Sequence, residues 1–413
     1  MRILVIGLNY APEPIGIAVY TAGLAERLAE CGHTVRVVSG KPYYPQWKLV
    51  DGYKGGWRTT VENDVTITRC PIYVPADPNG KKRLIHHASF AMSIALPITT
   101  AALTFRPDIV LTIAPSLASA PIAWLAAKLA RARSWLHIQD FEVEAAVATG
   151  LLDSASPIAR TASGFERRVI GLFDRVSSIS PEMCAKLMKM GIPADRIVEF
   201  RNWAGIVPLL HATQASRYRA EWNIKTPHVA LYSGNIANKQ GIETVLEAAA
   251  LLRDRQDLTF VICGEGPNLA KLREAAGSSV NLQFRPLQPV ERLADLLQLA
   301  TVHLLPQKAD AADLVLPSKL TNMLASGRPV VATAAPGTGL AREIEGCGIA
   351  TEPGNAEAFA AAIERLIEDQ ILWERYAANA RNRAKTRWDK GNTIARVIAS
   401  MEEVIRPRHR QAA

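Results

Sequence analysis

Short aliphatic runs recur along this chain, most of them followed by a polar loop bearing Gly or Pro and then by apolar residues at helical spacing. In the first half the runs are Ile3–Ile6, Val35–Val38, Arg106–Ile113, Ser134–Asp140, Asp174–Ser180 and Ile197–Trp203. In the second half they are Val229–Gly234, Leu258–Gly264, Asn281–Phe284, Val302–Leu305 and Val330–Ala332. Between them lie helical stretches such as Ala18–Ala29, Trp124–Ala130, Gly164–Phe173, Glu182–Met190, Ile242–Arg253, Leu269–Ala276 and Val290–Leu299. Strands this apolar are buried on both faces, which a parallel sheet covered by helices provides. The alternation therefore predicts an α/β fold of doubly wound parallel sheets. A chain of 413 residues, 48% hydrophobic and 21% charged, has core enough for two such domains.

The run from Asp313 to Ala332 shows one unit in detail. Pro317 suits a turn before a helix, and Ser318 is a good N-cap because its hydroxyl can accept a first-turn N–H. Leu320, Met323 and Leu324 share one helical face, and Gly327 ends the helix where a left-handed residue is needed. Free N–H groups near Ser318 and Lys319 would face the carboxyl edge of the sheet, an anion site whose adjacent lysine points to phosphate. Gly16 holds the matching place after the first strand, where a residue without Cβ either approaches a diphosphate or simply turns the chain. Asp140, Glu142 and Glu144 follow the strand Ser134–Asp140, also at a carboxyl end. Carboxylates this close repel, so they are expected to serve a partner. His137 alternates with Gln139 on that strand, where a histidine either lines a site or packs in the core.

Residues 41–83 read as a long, loop-rich excursion. Its aromatics Tyr43, Tyr44, Trp47 and Trp57 either line a sugar or lipid-headgroup site or pack on one another. Lys81-Lys82-Arg83 precedes the uncharged run Ala88–Phe105, which holds Pro97 midway. That run is either a helix lying against a membrane or a buried core helix. Ala204–Arg217 reads as a linker. The expected domains are 1–205 and 206–385, with a helical segment 386–413 packing back on the first. The formal charge is +9, most of it in the N-terminal half. That bias suits an anionic membrane or phosphorylated substrates. No dense basic stripe with interleaved aromatics marks a nucleic-acid surface. The cysteines (Cys31, Cys70, Cys184, Cys263 and Cys347) are scattered without ligand spacing, so neither zinc nor a disulfide framework is expected, and a reducing compartment is. Met1–Gly7 reads as a first strand rather than a signal peptide.

Several motifs occur together: Asn-Tyr-Ala-Pro-Glu-Pro-Ile-Gly, Leu-Ala-Glu-Cys-Gly-His-Thr-Val, Tyr-Ser-Gly-Asn-Ile, Val-Ile-Cys-Gly-Glu-Gly-Pro, Leu-Pro-Ser-Lys-Leu and Ala-Ser-Gly-Arg-Pro-Val-Val-Ala. As a set, over nearly the whole chain, they resemble the family 4 retaining glycosyltransferases of the GT-B fold, two Rossmann-like domains facing a cleft. Gln-Asp-Phe-Glu-Val-Glu adds a likeness to the bacterial colanic-acid and exopolysaccharide transferases of the fucosyltransferase-like branch.

The resemblance implies a nucleotide-sugar donor, GDP- or UDP-linked, on the C-terminal domain and a lipid-linked saccharide acceptor on the N-terminal one. It implies retention of configuration, no metal and no cofactor, and work on the cytoplasmic face of the membrane. Gly234 to Gly241, including Asn235, Lys239 and Gln240, would approach the diphosphate. Glu265 and Gly266 would lie near the nucleoside, and Arg285 at the turn Arg285-Pro-Leu287 would border the base. Asp140 would stand near the reacting centre, with His137, Glu142 and Glu144 on the acceptor side, and Lys319 would stabilise the leaving phosphate. The chain departs from the family pattern where paired glutamates are usual, since Leu314 and Asn322 stand there; with Pro317 and Ser318 they are still expected to line the donor. Asn235 and Gln240 stand where the family has Arg and Lys, with Lys239 one place away. Asp310 or Asp313 could replace the first glutamate. The departures leave a second reading, a catalytically silent nucleotide-sugar-binding protein or scaffold.

Overall fold

In the computed structural model, residues 1–14, 16–148, 153, 156–205, 216–237, 240–308 and 316–406 are described. The chain divides into two compact units: residues 1–202 with the chain from Thr393 onward, and Trp203–Asn392. Most of the expected linker, residues 206–215, lies outside the described residues.

The first unit holds β1 (Arg2–Gly7), β2 (Thr34–Gly40), β3 (Arg58–Glu62), β4 (Val65–Cys70), β5 (Ile109–Ala114), β6 (Arg133–Ile138), β7 (Arg175–Ser178) and β8 (Ile197–Glu199). They form one sheet in the order β3-β4-β2-β1-β5-β6-β7-β8, parallel except for β3 against β4. Ile3 pairs with Val35 on one side and Ile109 on the other. Ile3, Leu4, Val5 and Ile6 have no exposed surface, as a central parallel strand requires. The helices are α1 (Ile17–Glu30), α2 (Gly80–Thr104), α3 (Ala120–Ala130), α4 (Glu142–Ala148), α5 (Pro157–Gly171) and α6 (Pro181–Lys189). Ser156 and Ser180 cap α5 and α6 by accepting the N–H groups of Ala159 and Met183, and each is followed by Pro at the first helical position.

The second unit holds β9 (His228–Ser233), β10 (Leu258–Cys263), β11 (Leu282–Arg285), β12 (Val302–Leu305), β13 (Val330–Thr333) and β14 (Gly348–Thr351), all parallel, in the order β11-β10-β9-β12-β13-β14. Its helices are α7 (Tyr218–Glu221), α8 (Glu243–Leu251), α9 (Leu269–Ala276), α10 (Leu293–Gln298), α11 (Ser318–Ala325), α12 (Gly339–Ile344), α13 (Ala356–Glu368) and α14 (Gln370–Arg387). The last helix, α15 (Lys390–Ile405), belongs to the first unit from Thr393 on. In each sheet the strand order reverses beside the first strand, between β1 and β5 and between β9 and β12. Loops leaving the carboxyl ends of those strands diverge and leave a crevice for ligands.

Three expectations are corrected. The excursion 41–83 contains the hairpin β3–β4, turned at Asn63 and Asp64, both at positive φ. Paired left-handed residues are what a two-residue hairpin turn requires. The second helix begins at Gly80, so the basic triplet lies in its first turn, and Asn79 caps it through the Lys82 N–H. Pro97 within it has no N–H to offer the Ser93 carbonyl, and the Trp57 indole N–H takes that carbonyl instead at 2.9 Å. Finally, Ser318 does not cap α11: Pro317 occupies the cap position, no side chain serves it, and Ser318 is the first helical residue.

Candidate functional site

In the second unit, the loops leaving β9, β10 and β12 meet at the carboxyl edge. The Gly234 N–H donates to the Cys263 carbonyl, the Ile236 N–H to that of Glu265 and the Gly264 N–H to that of Arg285. A Cβ on Gly264 would stand 1.9 Å from the Gly234 oxygen, and one on Gly266 would stand 2.3 Å from the Ile236 oxygen. Only glycine allows backbones to approach this closely. Gly241 sits at φ 60° against the backbone of Gln307 and Lys308, joining the loops that follow β9 and β12. Asn235 and Glu265 are exposed on this edge.

Lys319, in the first turn of α11, reaches into this edge. Its aliphatic stem would contact a Cβ on Gly234 at 3.5 Å, so the glycine leaves that space open. Its ammonium lies 4.2 Å from the centroid of the Tyr232 ring and donates to Gln240 Oε1 at 3.1 Å. The Tyr232 hydroxyl donates to the Asn235 carbonyl at 2.5 Å, fixing the ring. Among the described residues no carboxylate forms an ion pair with Lys319. Desolvation lowers its pKa to about 7. An aromatic face and an amide oxygen replace only part of the water an ammonium loses. The geometry favours an anion beside Gly234 and the open start of α11, where Pro317 and Ser318 leave the first-turn N–H groups without a side-chain acceptor.

The remaining donor-side residues divide. Gly16 caps α1 at φ 69°, exposed, with only the Tyr44 ring near its absent Cβ. Arg285 donates to Gln283 Oε1 and the Trp222 carbonyl and lies over the Trp222 ring, so its guanidinium is already engaged. Asn322 is a correction: its Oδ1 accepts the Gly205 N–H at 2.7 Å, so it ties down the start of this unit. Lys239, Leu314, Asp310 and Asp313 lie outside the described residues.

The acidic segment of the first unit does not act as one group. Asp140 is exposed at the exit of β6. Glu142 turns inward, where its Oε1 accepts the backbone N–H groups of Ser116 and Leu117, just past the carboxyl end of β5. Burial raises its pKa while those bonds oppose the rise. Glu144 pairs with Lys186, whose ammonium lies over the Phe141 ring at 3.7 Å. Buried Glu166 lies close by, and desolvation lifts its pKa to about 7 against the pull of Lys186. The carboxylates therefore point to different partners, which corrects the expectation of one acidic cluster and of Glu142 on the acceptor side.

His137 is corrected as well. It is buried, its Nδ1 lies 2.9 Å from Ser177 Oγ, its Nε2 lies 3.1 Å from Gln139 Nε2, and its ring packs on Phe200. Desolvation lowers its pKa to about 3, so it is a neutral core residue. Two further residues that shape the site lie inside sequence motifs that assign them no role. Tyr232 supports Lys319, and buried Glu13 accepts from Asn9 and from the backbone of Tyr43 and Tyr44, pinning the loop that carries Gly16. The motifs Asn-Tyr-Ala-Pro-Glu-Pro-Ile-Gly and Tyr-Ser-Gly-Asn-Ile contain them, but their partners are set only by the fold.

A glycosyl transferase 4-like domain matches residues 16–203, and the model of glycosyl transferases group 1 matches residues 214–383. The chain is 40% identical to WcaI of Escherichia coli K12, a putative colanic acid biosynthesis glycosyl transferase, over 96% of this chain and 99% of that one. Its fold is similar to a sucrose-phosphate synthase from Thermosynechococcus elongatus (TM-score 0.72, 17% identical, 98% and 99% of the two chains). It is also similar to Anabaena HepE in complex with UDP and glucose (TM-score 0.67, 15% identical, 98% and 100% of the two chains). The chain belongs to the glycosyltransferases that join a 4-like domain to a group 1 domain, with the GT-B fold.

Proposed function

We propose that this glycosyltransferase moves a hexosyl group from a UDP- or GDP-linked donor to a lipid-linked saccharide, in the assembly of an exopolysaccharide of the colanic-acid kind. The reading rests on one observation, the enclosed Lys319 ammonium between Gly234 and Gln240 at the carboxyl edge of the second unit. In transfer, the bond from the anomeric carbon to the diphosphate oxygen breaks and charge builds on the leaving group. Lys319 and the first-turn N–H groups of α11 stabilise that charge without rearrangement. The acceptor hydroxyl bonds to the anomeric carbon on the same face and its proton passes to the departing phosphate, which retains configuration. Asp140, exposed at the exit of β6, is assigned beside the acceptor hydroxyl. No metal or cofactor enters this reading, because the lysine and the helix start supply the positive charge.

The family membership and the HepE complex support a nucleotide-sugar donor. WcaI supports the polysaccharide setting. A lipid-linked acceptor places the work at the cytoplasmic face of the membrane. The test is a thermal-shift panel of nucleoside diphosphates and their sugars, followed by transfer to lipid-linked saccharides in membrane extract with and without a chelator. Stabilisation by one base, and transfer that the chelator leaves intact, supports the reading. Binding without turnover on any acceptor would make the chain a silent nucleotide-sugar-binding protein. No binding of any nucleotide would refute both.

A further inference from the structure

One face of α2 is built into the first unit and the other is bare. His86, Phe90, Ile94 and Ile98 have no exposed surface. On the opposite side Leu84, Ile85, Met92, Leu96 and Leu103 are between 55% and 75% exposed. Ile85, Ala88, Met92, Leu96, Thr99 and Leu103 recur every three or four residues, so they form a continuous stripe along the helix. No Asp, Glu, Lys or Arg occurs between Leu84 and Phe105. Exposed Trp57 lies against this helix, its indole bonded to the Ser93 carbonyl that Pro97 leaves free.

The ends of the stripe are cationic. Lys81, Lys82 and Arg83 form the first turn, with Asp77 3.7 Å from Lys82 as the nearby acid, and exposed Arg106 follows the last. The basic end is also the ligand edge of this unit. His86 bonds the Tyr73 carbonyl and packs on Tyr43, and Arg83 lies over Trp47, all in loops leaving the carboxyl ends of β2 and β4. By length and composition α2 could cross a bilayer. Its buried face makes it part of the core under the sheet, and spanning would strip that face from the unit.

We infer that α2 docks this chain on an anionic lipid bilayer, lying along the surface with its apolar stripe in the boundary between headgroups and acyl chains and its basic first turn on anionic headgroups. The stripe has the area and the lack of charge for that depth, and the basic ends complement the headgroups. Trp57 sits where an amphipathic ring favours the interface. Docking in this posture brings the carboxyl edge of the first unit to the bilayer, where an acceptor carried on a lipid travels. The inference rests on the lipid-linked acceptor for its purpose, but vesicle binding is read without any sugar transfer.

The test is co-sedimentation of the full chain with vesicles of phosphatidylcholine alone and with vesicles containing about one quarter phosphatidylglycerol. The chain should bind the anionic vesicles, and added salt should weaken binding. A Met92→Glu and Leu96→Glu double variant should lose about tenfold or more in binding. A Lys81→Gln and Lys82→Gln double variant, which leaves the Arg83 contact with Trp47 in place, should lose a similar factor on anionic vesicles. Both sets change side chains at the surface of the helix, so the melting temperature and its shift with nucleoside diphosphate should match the parent. That match separates failure here from failure of the transferase reading. Absence of vesicle binding overturns the inference, as does binding that neither set weakens. A concentration-dependent dimer, abolished by Met92→Glu and Leu96→Glu without any vesicle binding, would overturn it too and assign the stripe to a second copy of the chain.

Discussion

The start of α11 in the second unit and the segment 140–144 in the first carry opposite charge problems. Asp140, Glu142 and Glu144 crowd together in sequence, yet the fold sends Glu142 to two backbone N–H groups and Glu144 to Lys186. Lys319 stands alone in sequence, yet the fold encloses its ammonium against a tyrosine ring and a glutamine oxygen. Charge density along a chain is thus a poor guide to where charge remains uncompensated. A short stretch of helix turns successive side chains in different directions, so neighbours in sequence acquire different partners. A charge the fold leaves uncompensated is the better pointer to a ligand, because burying it costs stability that ligand binding can restore.

That contrast can be broken most directly at Lys319. Lys319→Met should weaken nucleoside diphosphate binding by about 2–3 kcal/mol, on the order of 30- to 150-fold, in calorimetry. The same variant should melt higher than the parent without ligand. The folded pKa lies near 7 and so below the ordinary lysine value, which means the folded state holds fewer protons between the two. The stability penalty is therefore full below about pH 7 and fades as pH rises toward the unfolded lysine value, and the gain in Lys319→Met should follow it. Donor affinity of the parent should fall as pH rises above about 7, while Lys319→Arg should flatten that fall. Unchanged binding in Lys319→Met would erase the distinction between the two regions.

The opposite outcome is expected at Glu142. Glu142→Ala leaves the Ser116 and Leu117 N–H groups without their acceptor and should cost about 2–3 kcal/mol in urea denaturation. Nucleoside diphosphate binding should stay at the parent value. Loss of that binding at equal stability would show that Glu142 serves the ligand after all.

A smaller effect is expected at Glu166. Its folded pKa is raised to about 7, so the stability it contributes is full below its unfolded value near 4.5 and is lost as pH rises through about 7. The parent should therefore lose about 1–2 kcal/mol between pH 5 and pH 8 relative to Glu166→Gln, measured as the difference in urea midpoints. A parallel pH course in both proteins would remove Glu166 from the acidic group. Least of all, Asn322→Ala should cost about 1 kcal/mol through the lost Gly205 bond. It should change diphosphate affinity by less than about twofold, and a larger change would return Asn322 to the donor site.

Much of the architecture is legible in the amino-acid order, because parallel strands buried on both faces leave uninterrupted aliphatic runs such as Ile3–Ile6 and Leu258–Cys263. The hairpin β3–β4 is not. Arg58, Thr59, Thr60 and Glu62 belong to an edge strand with little apolar surface, so periodicity has nothing to register. The triplet Pro317-Ser318-Lys319 is legible as a helix start near phosphate. The partners of Lys319 are not, since Tyr232 and Gln240 come from a strand and loop far away in the chain.

The sequence by itself determined two α/β units, the order of their strands along the chain, and the lysine placed at a helix start. These follow from local periodicity and from turn residues that act within a few positions. Only the tertiary structure decided that His137 is a neutral core residue, that Glu142 and Asn322 hold backbone in place, and that α2 buries one face and bares the other. Burial and hydrogen-bond partners are set by residues distant in sequence, and they decide whether a polar or apolar side chain is satisfied by the fold or left for a ligand.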